Sequence, residues 1–585
     1  MKKKLIGIII LLLSITINVS AKEVSKNDIP NRTYVIGTHE FTRDPIDGNN
    51  FTGDYKGILE TKYLMLGSTS INSNNIDDMI VYYKNPDGIW LNAATGEEIE
   101  NVPDTFNIEY INTEVATSNT ISNTIKKAIA TNTTSTCNNL TVEEDGTTYL
   151  SGTKDCINFN YVWYSGKLWR ITAINPDGSL KMITDDNITT ISYGEDVNFY
   201  DISKKDDTSY TGSYIYQWLN EDFLDTLYNY KNIIVENSTW NITNSNAGSV
   251  DEISKKLPET TLINNSTIGK NTPVGLLNSY EYYLSYKNTN STSASKKGYF
   301  DNGYSWWLLN SYSSSNVWEV GGADNFAGPL SILGVHPVVN LKPTIMILSG
   351  SGTKDDPYKI LGDKEQPTIN TTLLNTRTVG EYVIFDEDGS ASTKEIYRIV
   401  GIEDEKVKLN KNDYIKSDGA VVTKKISTSI TYGDGDSDEY CDYYLNNTWY
   451  NSLASIDMLD KGTYYIKERS SGSYKNSLCN TDDTTETTKS CVKTTSIWNS
   501  GYVGLPRLGE MFASQQEDGR NNSNTIWLIT PYSSSNVWHV DGNNIGYYYN
   551  PSLIAAVRPS IYLKSNVVIT GGDGTKTNPF TIALK

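Results

Sequence analysis

The segment Tyr312-Ser313-Ser314-Ser315-Asn316-Val317-Trp318 recurs unaltered as Tyr532-Ser533-Ser534-Ser535-Asn536-Val537-Trp538, 220 positions further on. Flanking pairs keep the same order: Tyr161-Val162 with Tyr382-Val383, Trp218-Leu219-Asn220 with Tyr444-Leu445-Asn446, Val274-Gly275-Leu276 with Val503-Gly504-Leu505, and Val335-His336-Pro337 with Val557-Arg558-Pro559. The ends also correspond. Ser349-Gly350-Ser351-Gly352-Thr353-Lys354 answers Thr570-Gly571-Gly572-Asp573-Gly574-Thr575-Lys576 with one inserted residue. Solenoid repeats run to about 20–50 residues, so a period this long means two whole domains in tandem. They are placed at 137–361 and 373–585, joined by a linker at 362–372.

Ahead of the duplication, Met79-Ile80-Val81-Tyr82-Tyr83 and Ile89-Trp90-Leu91 flank Asn85-Pro86-Asp87-Gly88. Pro presets the φ of a turn and Gly accepts positive φ, which predicts a β-hairpin inside a small β module at 30–113. Asn175-Pro176-Asp177-Gly178 repeats the signal at the start of the first duplicate. From Thr113 to Thr136 the chain is dominated by Thr, Asn, Ser and Ala, and a flexible linker is expected over 114–136. Lys2, Lys3 and Lys4 precede an apolar stretch from Leu5 to Ile17 and the small-residue pattern Val19-Ser20-Ala21. This reads as a secretory signal peptide at 1–21, its apolar core shorter than the ~20 residues of a membrane-spanning helix. The mature chain is then expected to carry no membrane span and to be secreted, extracellular or held at the cell surface.

Lys and Arg number 50 against 69 Asp and Glu, a net charge of −19. Binding to a nucleic-acid backbone needs a basic footprint that releases counterions, so nucleic acid is excluded as a partner. Export makes disulfides the natural reading of the cysteines. Cys137 with Cys156 and Cys479 with Cys491 are the expected pairs, and Cys441 is left over as a buried free thiol.

Helices are few. Ser213 to Tyr228 places Ile215, Trp218, Leu219, Phe223, Leu224 and Leu227 at helical spacing, and Tyr440 to Leu453 is its counterpart. A second helix fits Gly275 to Leu284 and Leu505 to Ala513. The remainder reads as short strands and loops, and the class is α+β, rich in β and loop.

Trp307-Leu308-Leu309, the Tyr312 to Trp318 segment, Gly321-Gly322 and Gly334-Val335-His336-Pro337-Val338, echoed by Ala556-Val557-Arg558-Pro559-Ser560, resemble a domain of unknown function from secreted bacterial proteins. That domain is similar to the C-type-lectin-like fold, shared with the sulfatase-modifying, formylglycine-generating enzymes and with the variable proteins of diversity-generating retroelements. The resemblance implies a small β module followed by two tandem C-type-lectin-like domains.

Catalytic signatures do not appear. The three histidines are His39, His336 and His539; Arg558 stands opposite His336 and Glu319 opposite His539, so neither copy repeats a His-centred triad. Gly-x-Ser-x-Gly, His-Glu-x-x-His and phosphate-loop patterns are missing. Formylglycine generation requires a close cysteine pair in the carboxyl-terminal part of the fold, where the first duplicate has none. Asp434-Gly435-Asp436-Ser437-Asp438-Glu439 alternates carboxylates like a Ca²⁺ loop, but Glu439 takes the place of the turn Gly. No metal and no cofactor are expected.

Binding is therefore assigned to segments that differ between the copies. These hold Glu319, Asp324, Asn325 and Phe326 in the first, and His539, Asp541, Asn543, Asn544, Tyr547, Tyr548 and Tyr549 in the second. Tyr and Asn supply contact area and adaptable hydrogen bonds at low entropic cost. The expectation is a non-enzymatic binding or adhesion protein for an extracellular protein or glycan. The alternatives are a degenerate formylglycine-generating-type enzyme, an unidentified hydrolase, or a structural spacer of the envelope.

Overall fold

The computed structural model describes residues 22–27, 33–37, 63–66, 80–85, 88–92, 98–112, 120–132, 140–204, 212–243, 262–263, 272–287, 298–299, 302–321, 326–364, 366–390, 393–427, 432–465, 497–498, 501–507, 510, 525–531, 535–540 and 547–585. The leader expected at 1–21 and Cys137, Cys479 and Cys491 lie outside them, so the two disulfides remain expectations. Cys441 is a buried free thiol. Among the described residues, no helix is long and apolar enough to cross a membrane.

The chain divides into two compact units, Met1–Ala93 with Glu98–Ser118, and Ala94–Glu97 with Asn119–Lys585. The first holds a six-stranded sheet in the order Lys22–Ser25, Thr105–Asn112, Tyr63–Leu66, Thr33–Gly37, Ile80–Lys84, Trp90–Asn92. Its last two strands form the hairpin foreseen from Asn85 to Gly88. There the Asn85 side chain accepts the Ile89 N–H at 2.8 Å, and Gly88 takes a φ of +84°.

The second unit is strand-rich with short helical runs, in keeping with a β-rich α+β class. One sheet runs Val274–Gly275, Val338–Leu341, Leu180–Thr184, Lys167–Ile174, Tyr161–Tyr164. The later half repeats this order as Val503–Gly504, Ser560–Leu563, Lys406–Lys411, Ile396–Glu403, Tyr382–Ile384. A five-stranded sheet recurs too: Thr189–Ser192, Ile332–Val335, Trp306–Ser311, Val317–Val320, Phe326–Ala327 corresponds to Thr423–Lys424, Ala555–Ala556, Ile526–Pro531, Val537–Val540, Tyr547–Tyr549. In the first copy the closing strand Tyr358–Ile360 lies parallel to the opening strand Tyr161–Tyr164, and in the second Phe580 bridges Val383 in the same sense.

The predicted first helix exists in both copies as a composite run. It is α over Tyr214–Gln217, π over Trp218–Phe223 and 3₁₀ over Leu224–Thr226, and likewise Cys441–Tyr443, Tyr444–Trp449 and Tyr450–Ser452. In each π segment an asparagine amide clamps the edge of a strand: Asn220 donates to Val274 O at 3.0 Å and accepts its N–H at 3.1 Å, while Asn446 does so to Val503 at 2.8 and 3.0 Å. The second helix starts later than expected, at Ser279–Tyr286, because Asn278 caps it with Glu281 in a reciprocal capping box. Of the helix expected from Leu505 to Ala513, most lies outside the described residues.

The flexible linker expected at 114–136 is corrected over its described part, residues 120–132. Ile121–Asn132 is an α-helix, with Ile121, Ile125 and Ile129 buried in the first copy's core. Those three positions, four apart, make one helical stripe, enough to order a segment otherwise polar. The linker expected at 362–372 is also partly built into the fold, since Asp363 accepts the Ser165 N–H at 3.0 Å.

The two copies share a core. Along Ile526–Pro531 side chains alternate faces. Ile526 and Leu528 join a buried cluster made mostly of first-copy residues, and Trp527 and Ile529 belong to the second copy's own cluster. Trp538 and Val540 follow Ile526 into the first-copy cluster, which also holds Trp306 and Trp318. Strands Val317–Val320 and Val537–Val540 are therefore buried along their whole length.

Candidate functional site

That burial bears directly on the expected binding segments. Glu319 is only 6% exposed and His539 only 1%, because their strands are covered on both faces, so both are removed from a ligand-contacting surface. Phe326 is half-buried and stacks on Tyr312, centroids 4.2 Å apart and planes 9° off parallel. Tyr547, Tyr548 and Tyr549 form an edge strand in register with His539, Trp538 and Val537. Asp324, Asn325, Asp541, Asn543 and Asn544 lie outside the described residues.

A cleft of about 220 Å³ opens instead where the two copies meet. Its walls draw equivalent residues from each: Leu168 and Ile396 from the matching strands, and Lys354 and Lys576 from the matching Gly-rich turns. The turns are tight for a physical reason. Gly352 and Gly574 hold φ of +79° and +78°, and a Cβ on either would meet the ring of Tyr358 or Phe580 at 2.2 or 2.6 Å. They are also tied across the junction, since Lys359 Nζ pairs with Asp573 at 2.6 Å and Thr577 donates to Asp355 O at 2.9 Å.

An aromatic wall is made by Trp163 of the first copy and Tyr382 of the second, stacked at 6.5 Å. The Arg398 guanidinium sits 4.0 Å from the Tyr382 ring centroid and donates through Nε and Nη2 to Gly380 O at 3.1 and 2.9 Å. Its equivalent, Arg170, packs over Tyr161 at 4.2 Å. A buried Arg–Tyr pair thus stands behind the opening strands of both copies.

The floor is acidic. Asp185 and Asp186 end the strand Leu180–Thr184 and are 8% and 1% exposed. Asp186 Oδ1 accepts the Asn187 N–H at 2.8 Å and Asn302 Nδ2 at 2.5 Å. His336 lies 3.1 Å from the same Asn302 nitrogen through Nε2 and 3.0 Å from Thr184 O through Nδ1, contacts that fit a neutral ring with its proton on Nδ1. In the second copy Arg558 Nε donates to Lys411 O, the counterpart of Thr184 O. His336 and Arg558 thus perform one structural task, holding the strand end.

Chemically the cleft offers three carboxylates, Asp185, Asp186 and Asp355, and three cations, Lys354, Lys576 and Arg398, beside apolar and aromatic surface. The carboxylates of Asp434 to Glu439 do not gather. Asp438 accepts from Thr448 and Glu439 pairs with Lys425. The close carboxylate group found among the described residues is instead Asp386, Asp388 and Glu395, which is largely exposed.

Sequence reading missed the cleft, although the doubled Gly-Thr-Lys ending that supplies both lysines was visible. No curated protein and no solved structure matches the chain. Residues 179–343, which include Asp185, Asp186 and His336, match the sequence profile of a domain of unknown function, DUF6273. The matched stretch covers the acidic floor of the cleft.

Proposed function

We propose that this is an exported, non-enzymatic binding protein whose two copies are C-type-lectin-like domains, with an extracellular ligand held in the cleft between them. The observation that carries the reading is the convergence of equivalent residues, Lys354 with Lys576 and Leu168 with Ile396, on one cavity floored by buried aspartates. Burying carboxylates is costly, and a concave site combining an apolar wall with a few convergent polar groups is the usual form of a ligand pocket. The leader-like segment at 1–21 and the absence of catalytic signatures in the sequence support export and binding over catalysis.

The test is a ligand array of glycans, small metabolites and extracellular proteins, run with the Lys354→Ala/Lys576→Ala double variant and with Tyr547, Tyr548 and Tyr549 all changed to Ala. Loss of a hit in the lysine variant alone is the expected outcome. A hit lost only with the tyrosines would move the site to the edge strand, and an array with no hits would count against binding altogether.

A further inference from the structure

Lys181 and Asn340 stand directly opposite each other on the paired strands Leu180–Thr184 and Val338–Leu341. Opposite residues of an antiparallel pair send their side chains to one face with Cβ atoms about 4.5–5.5 Å apart, a gap that the four-carbon stem of a lysine spans. Glu281, in the first turn of the helix Ser279–Tyr286, reaches the same lysine and accepts from its Nζ. The Trp240 ring centroid lies 5.5 Å from that Nζ, and both Asn340 and Glu281 are buried. An amine, a carboxamide and a carboxylate are thus gathered where little water reaches.

The Asn340 amide is itself fixed. Its Oδ1 accepts from Asn175 Nδ2 at 3.2 Å, and its Nδ2 donates to Ser238 Oγ at 3.1 Å. The first contact polarises the carbonyl and is placed to steady a negative charge developing on Oδ1. In the second copy the lysine and glutamate persist as Lys408 and Glu510, 2.6 Å apart, but Tyr562 stands opposite the lysine. The carboxamide at this position belongs to the first copy alone.

We propose that Lys181 and Asn340 join in an intramolecular isopeptide bond, with Glu281 carrying the protons. Glu281 takes a proton from the Lys181 ammonium, and the freed electron pair of Nζ attacks Asn340 Cγ. The Cγ–Nδ2 bond then breaks as Nδ2 gains a proton and leaves as ammonia. Of the three ammonium protons, one stays on the new amide, one departs with the ammonia and one is left on Glu281 for release to solvent. Nothing is oxidised or reduced, and no further reactant is consumed. The existing contacts of all three side chains serve this reaction, so none of them has to be given up for a ligand. The bond closes the long loop between 181 and 340, a restraint on the unfolded chain of the kind a disulfide supplies.

Peptide mapping by mass spectrometry of the full chain, reduced, denatured and digested, tests this. The expected product is one branched peptide joining Lys181 to Asn340, lighter than the sum of its two parts by one ammonia. Lys181→Met and Asn340→Ala should abolish it. Glu281→Gln keeps a side chain suited to the capping box and should slow its appearance by about a hundredfold or more, the scale of general acid–base catalysis. The digest of the parent decides the matter even if a variant fails to fold. Separate linear peptides for Lys181 and Asn340 in the parent, or a branch lighter by water that joins Lys181 to Glu281, would overturn the proposal. Linkage in Glu281→Gln as fast as in the parent would remove Glu281 from the reaction.

Discussion

Lys181 and Lys408 stand at equivalent positions, and each meets a glutamate from the segment after the Val-Gly strand, Glu281 in the first copy and Glu510 in the second. The second pair is 2.6 Å apart and almost wholly buried. Burial pulls the Lys408 ammonium below its ordinary pKa while Glu510 opposes that pull. Breaking a buried pair strands a charge, at about 3–5 kcal/mol. Glu510→Gln should therefore lower unfolding stability in urea by about 3 kcal/mol, and Lys408→Met combined with Glu510→Leu should recover much of it. A single variant within about 0.5 kcal/mol of the parent, the range of ordinary surface changes, would show the pair to be ornamental. The sequence displays both residues in both copies, yet with 69 acidic groups in the chain only the fold reveals which lysine each one meets.

At the scale of elements, the helix Ile121–Asn132 ties a polar stretch to the first copy through three isoleucines. Ile125→Ala should cost about 2–5 kcal/mol, the cost of truncating a buried aliphatic side chain, as measured by denaturant unfolding. Limited proteolysis should spare 121–132 in the parent and cut there in the variant; equal cutting in both would restore the linker reading. The paired sheets were legible because each strand appears twice in the same order, so Val-Gly, Val-x-Pro and the Asn-Val-Trp segment reinforce one another. The helix was not, because three isoleucines in a field of Thr, Asn and Ser sit close to the composition of a disordered spacer. The cleft was least legible of all. Trp163, Asp185, Arg398 and Lys576 are far apart in the chain and meet only because two copies pack together, a tertiary outcome that local pattern does not encode. The interior positions of Glu319 and His539 were hidden for the same reason, since alternation along one strand cannot show that a second copy covers its outer face.

For the whole molecule, the junction between copies also carries a pH response. Desolvation pushes the Asp363 carboxyl up to about 7, with Glu381 adding to the rise and the Ser165 and Lys364 amides and Arg377 opposing it. Burial brings Lys167 down to about 7, with Asp363 opposing and Arg398 adding. A carboxyl whose folded pKa is raised holds its proton more tightly in the native state, so its contribution to stability falls as pH climbs from about 4 to about 7. The lysine acts in the other direction, its contribution rising from about pH 7 to about 10.5 as the unfolded chain becomes the stronger proton binder. Together they set a stability minimum near pH 7. Asp363→Asn keeps an acceptor for Ser165 and should flatten the acid limb of a melting-temperature profile; an unchanged slope between pH 4 and 7 would assign that limb to other groups.

Each copy's closing strand also returns beside its opening one, Tyr358 next to Val162 and Phe580 next to Val383. The chain leaves every copy close to where it came in, as is common for independent folding units. A gene encoding such a unit can be doubled, trimmed back to one, or cut and rejoined at a new starting point without any strand having to be rethreaded. The architecture is therefore open to growth by copying, and the shared cleft is a feature that exists only once a second copy has been added.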